Sequence, residues 1–137
     1  MRKTITFLFI ASLIITITTS CSPNGIDVPV GTIIQQEKWK VRSLSENGVD
    51  KTGYLNSYEF TFASNGIATA AKAGVNINGT WSSGMDNNIE KILIAFSNYP
   101  LDELTENWRV TYKSYTRIRL EHVSGGSITG LLTFEKL

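Results

Sequence analysis

From Lys38 onward, apolar residues recur at every second position in short runs bounded by turn residues, the mark of half-buried antiparallel strands. Trp39 and Val41 alternate with Lys38, Lys40 and Arg42, and Tyr58, Phe60 and Phe62 alternate with Ser57, Glu59 and Thr61. Asn65-Gly66 is a strong hairpin signal leading into residues 67–72, and Ala73-Gly74 leads into Val75, Ile77, Gly79 and Trp81. The second half repeats the pattern with Ile92, Ile94 and Phe96, then Trp108, Val110 and Tyr112, then Ile118, Leu120 and His122, and after Ser124-Gly125-Gly126-Ser127 with Ile128, Leu132 and Phe134. Between the fifth and sixth of these strands lies Pro100-Leu101-Asp102-Glu103-Leu104, with proline at a first helical position and acids in the first turn. The pattern predicts an all-β fold: an eight-stranded up-and-down antiparallel barrel with one short helix. Closing the sheet on itself also removes exposed strand edges.

The same alternation assigns faces. Trp39, Tyr58, Phe60, Phe62, Trp81, Phe96, Trp108, Tyr112 and Phe134 fall on the inward side, together with Val41, Val75, Ile77, Ile92, Ile94, Val110, Ile118, Leu120, Ile128 and Leu132. Ser43, Thr69, Ala71, Gly79, Ser83, Ser114 and Gly130 are the smaller inward positions, where a cavity would open. An eight-stranded barrel is just wide enough to be filled by side chains or to hold one small ligand. Both interiors are compatible with these residues.

The chain ahead of Lys38 follows different rules. Met1-Arg2-Lys3 is a basic start, Ile5 to Ile17 is apolar, and Thr18, Thr19 and Ser20 are small or hydroxylated, which is the layout of a cleaved secretory leader over residues 1–20. The apolar stretch falls short of the roughly 20 residues a spanning helix needs. Cys21 is the single cysteine, so it has no intramolecular partner, and its place directly after the leader resembles a bacterial lipoprotein signal in which that cysteine carries the lipid. Each buried acyl methylene contributes about 0.8 kcal/mol, so several chains on Cys21 hold a domain at a membrane. Residues 22–36, with Pro23, Gly25, Pro29 and Gly31 and no period, read as a flexible tether, which leaves residues 37–137 for the barrel.

Composition narrows the function classes. A chain of 137 residues with 42% hydrophobic and 18% charged residues makes one globular domain. Arg2 and Lys3 leave with the leader, taking the formal charge from +1 to 11 basic against 12 acidic residues, so nucleic acid is not an expected partner.

The leader, Trp39 on the first strand, the stretch Tyr58-Glu59-Phe60-Thr61-Phe62-Ala63-Ser64-Asn65-Gly66, Gly79-Thr80-Trp81, and Leu101-Asp102-Glu103-Leu104 running to Trp108-Arg109-Val110 resemble the small lipocalin-like lipoproteins of Bacteroidetes. The resemblance covers residues 37–137 and implies a lipid-anchored barrel in the envelope of a Gram-negative bacterium, at the outer membrane, on its periplasmic or its cell-surface face. It also implies carriage of a small hydrophobic or amphipathic ligand, and an arginine, Arg117 or Arg119, covering a barrel end by stacking on Trp39.

Candidate ligand-binding residues are therefore the inward Trp39, Tyr58, Trp81, Trp108, Tyr112 and His122. His122, the single histidine, reads as a hydrogen-bonded residue at the core margin, because no local spacing supplies a nucleophile, an orienting partner or metal ligands. Asp102, Glu103 and Glu106 are explained by the helix start. Arg109, Lys113, Arg117 and Arg119 make an outward basic stripe on two strands, answered chiefly by Glu121, which could meet anionic headgroups or glycans. The expectation is a protein that is not an enzyme and needs no cofactor or metal. The expected function is the binding of a small hydrophobic or amphipathic ligand at the cell envelope, with a filled-barrel module that contacts an envelope protein or glycan as the alternative.

Overall fold

The structure, a computed structural model, describes residues 24–137; the leader, Cys21 and the first residues of the expected tether lie outside the described residues. Strands run in the order β1 (Trp39–Glu46), β2 (Val49–Asp50), β3 (Glu59–Phe62), β4 (Ile67–Lys72), β5 (Val75–Asp86), β6 (Ile89–Ala95), β7 (Glu106–Lys113), β8 (Arg117–Ser124) and β9 (Ser127–Lys136). Each strand from β3 to β9 pairs antiparallel with the next, and β1 pairs with both β3 and β9, which closes the barrel. The eight expected strands are all present. β2 is an additional short strand that hairpins onto the far end of β1 through Asn47-Gly48, both with positive φ as such a tight turn requires.

Eight of the nine inward aromatics are buried, with Phe60, Phe62, Phe96, Phe134 and Trp81 meeting edge to face at ring separations of 5.6–6.3 Å. Tyr112 is the exception, half-buried because a bulge between Val110 and Tyr112 turns it. Five other inward assignments are corrected. On β4, Ala68 and Ala70 point inward opposite Phe62 and Phe60, where Thr69 and Ala71 were expected; a one-residue slip reverses a whole strand, and this all-small stretch gives the alternation little to read. A bulge between Val41 and Ser43 swings Ser43 out and brings Leu44 in. Val75 and Ile128 are 62% and 56% exposed because they sit at strand starts beyond the core.

The two barrel ends are sealed differently. At one end, residues 24–36 do not form a loose tether. They include helix α1 (Val30–Ile34), in which Val30, Gly31, Ile33 and Ile34 are all buried. Val-Gly-Thr-Ile-Ile has weak helical propensity and is too short to persist alone, so burial against the barrel mouth makes this helix. The Val30 amide donates to Glu90 Oε1 at 2.5 Å, the Thr32 and Ile33 amides donate to the Pro29 carbonyl, and the Trp39 indole donates to the Ile34 carbonyl at 2.9 Å. Gly31 lets α1 pack close to β5, since a Cβ there would stand 2.3 Å from Ser83 Oγ and displace that hydroxyl.

The opposite end is closed by local connections. A 3-10 helix, Leu101–Leu104, falls where the Pro100 signal placed the one expected helix, and it buries Leu101 and Leu104. Helix α2 (Thr52–Leu55) adds Leu55. The Trp108 indole donates to the Leu104 carbonyl at 3.0 Å, and Lys51 bridges Glu46 and Glu103 at 2.8 and 2.5 Å. Those two carboxylates hold the Lys51 ammonium well above its ordinary pKa.

Candidate functional site

The six interior candidates do not converge on a common opening. Trp39 and Trp108 are fully buried and spend their indole N–H groups on the two end seals, while Trp81 donates to the Ala63 carbonyl at 2.9 Å. Tyr58 is buried with Lys72 over its ring at 5.0 Å. His122 is half-buried at the acidic end, with Nδ1 3.2 Å from Thr129 Oγ1, Nε2 3.2 Å from Glu106, and its ring edge-on to Trp108. Gly130 packs tightly, since a Cβ there would stand 3.2 Å from the Trp108 ring and from His122 Cβ. These contacts are those of a packed core. No buried side-chain nitrogen or oxygen among the described residues lacks a partner, so none is left aimed at an absent ligand.

The basic stripe is likewise engaged. Arg109 pairs with Glu121, Lys113 with Glu90, and Arg117 with Glu135 at 3.0 Å, whereas Arg119 lies over the Tyr112 ring at 5.2 Å. Arg117 and its neighbours hold the Glu135 carboxyl below the ordinary carboxylate range. Neither expected stacking arginine covers Trp39. What meets Trp39 instead is the Ile34 carbonyl of α1, a contact to which residues 22–36, with no period of their own, give no sequence signal.

A groove outside the core emerges instead. Strands β6 and β7 pair no further than Lys91 opposite Arg109, and beyond that point they part. The edge of β7 left free is taken by the N-terminal segment: Ile26 donates its amide to the Lys113 carbonyl at 3.0 Å, and the Lys113 amide donates to the Asn24 carbonyl at 3.2 Å. Between this segment and the β5–β6 hairpin opens a groove of about 960 Å³, with Ile26, Met85, Ile89 and Val110 on its walls and the Glu90–Lys113 and Arg109–Glu121 pairs on its floor. None of the six interior candidates lines it. Arg109 and Lys113 do, which brings half of the stripe into one place. The groove has no signal in the sequence, because it depends on where the β6–β7 register stops.

Chemically, the groove offers paired charges and apolar walls. It suits an amphipathic surface better than a reaction, because Glu90, Lys113, Arg109 and Glu121 are held in pairs and only Asp27 on its rim has no counter-charge among the described residues. Among the described residues no group of three or more His, Cys, Asp or Glu side chains is placed to hold a metal ion.

No family model and no curated protein matches the chain. Among solved structures it is similar to a DUF4847 family protein from Bacteroides vulgatus, at 18% identity and a TM-score of 0.53, over 77% of this chain and 96% of that one. The likeness is one of fold. At this identity it establishes the β-barrel, shared with a Bacteroides protein, and carries no residue roles across.

Proposed function

We propose that this protein is a lipid-anchored envelope barrel, attached to the outer membrane through Cys21, that works through its outer surface by contacting an envelope protein or glycan. The observation that carries the reading is the fate of the large inward side chains. Trp39 and Trp108 are fully buried and hydrogen-bonded to the segments that close the two ends, so the interior is occupied by the protein itself. The lipid anchor rests on the leader and the unpaired Cys21. The lipocalin-like resemblance then concerns architecture, and its internal cargo is replaced by side chains.

One observation favours a second reading. The groove between the N-terminal segment and the β5–β6 hairpin is large enough, at about 960 Å³, for a small amphipathic molecule held at the rim. Native mass spectrometry of the gently purified protein separates the two. The surface-acting reading expects the mass of the polypeptide with its acyl groups and nothing more. A reproducible extra small-molecule mass, lost on denaturation, overturns it in favour of ligand capture.

A further inference from the structure

We infer that the barrel stands on the bilayer with its α1-sealed end down, the tips of the β5–β6 and β7–β8 hairpins in the headgroup layer and the acidic end facing away. The inference rests on the lipidated-Cys21 reading and adds to it a direction. Its ground is the length of free chain. Residues 24–26 are bound to the end of β7 by two backbone hydrogen bonds, so only Ser22 and Pro23 lie between Cys21 and the anchored backbone. Three Cα steps reach about 11 Å at most. A leash that short does not let the domain turn over, because the opposite end of the barrel lies roughly 20 Å further on along tilted strands of this length.

The surfaces at the two ends agree with that direction. Around the attachment point the hairpin tips present Met85, 67% exposed, and Tyr115, 51% exposed, an apolar and an amphipathic side chain suited to the membrane interface. Most charges beside them are neutralised in place, Asp27 excepted: Lys91 bonds Asp86 at 2.5 Å, Lys113 bonds Glu90, and Lys136 bonds Glu37 at 2.6 Å. The far end carries the carboxylates Glu46, Asp50, Asp102, Glu103 and Glu106 against two lysines, Lys51, which bridges Glu46 and Glu103, and Lys72 at the β4–β5 turn. Anionic lipid headgroups repel such an end.

The test is paramagnetic relaxation enhancement by NMR on the protein in nanodiscs of phosphatidylethanolamine and phosphatidylglycerol doped with a gadolinium-chelating lipid. The protein is taken from the envelope of the expressing cells, and its intact mass is read first. The amides of Met85, Ile89 and Tyr115 are expected to relax several-fold more strongly than those of Asp102 and Gly125. Equal enhancement at the two ends, or a larger effect at Asp102 and Gly125, overturns the orientation. An unmodified Cys21 thiol in the mass spectrum overturns the anchor instead. The same protein coupled through that thiol to a maleimide-headgroup lipid then tests the orientation alone, since the leash is unchanged.

Discussion

The two ends of this barrel solve one problem by opposite means. At the acidic end the seal comes from connections between consecutive strands, which bury Leu55, Leu101 and Leu104 and tie the Leu104 carbonyl to Trp108 with segments that had to be there to join the sheet. At the other end the seal is brought from outside the barrel, by a helix that precedes the first strand and docks against Glu90, sixty residues away. A local plug is inseparable from the barrel. A recruited plug is a separate unit whose loss leaves every strand intact, so the two should respond differently to the same kind of damage.

The harshest way to probe that difference is to remove residues through Gln36. Three fully buried aliphatic side chains go with α1, and at about 1.5–3 kcal/mol each the barrel is expected to lose roughly 5 kcal/mol or more in urea unfolding, whereas a tether would cost nothing. Single truncations sharpen the comparison. Ile34→Ala and Leu104→Ala should each cost about 2–5 kcal/mol, and the double variant should show the sum, because the seals share no partner. Non-additivity would mean that the two ends communicate through the core.

Electrostatic ties at each end are smaller. Glu90→Ala leaves the Val30 amide and the Lys113 ammonium without their partner in a half-buried place, an expected loss of about 1–3 kcal/mol. Lys51→Met at the other end should cost less, about 0.2–1 kcal/mol, since its two ion pairs lie nearer solvent. The β4–β5 turn offers a gain: Ala73 has φ +50°, where a Cβ is disfavoured, so Ala73→Gly should add about 1 kcal/mol. Acid is the mildest probe. Thr52 holds Asp50, and Arg117 holds Glu135, below the ordinary carboxylate range, so their stabilisation is present above that range and fades as pH falls through and below it. Blocking both, in Asp50→Asn with Glu135→Gln, should flatten the acid limb of a melting-temperature profile.

How much of this was legible in the chain follows the same division. Strand alternation and turn pairs are local, and Trp39, Phe60, Trp108 and Phe134 went inward as their period required. The Pro100 to Leu104 stretch carries its own start signal and became the expected short helix. What escaped notice was set by distant contacts. Val30 to Ile34 has no helical period of its own, and the bulges after Val41 and Val110, which moved Ser43 and Tyr112, depend on partner strands. The parting of β6 and β7, and with it the groove, is a property of register. The basic stripe was visible as residues but not as pairs, because Glu90 and Glu135 answer Lys113 and Arg117 from other strands.

Hydrogen exchange at the indole N–H groups tests the sealed barrel most directly, because each tryptophan reports on one closure. Trp39 donates to Ile34 of the recruited plug, and Trp108 donates to Leu104 of the local one. The account predicts that both resonances persist in deuterated buffer as long as the amides of the central strands. A Trp39 indole that exchanges at once while Trp108 stays protected would contradict it, and would mean that one end of the barrel is open.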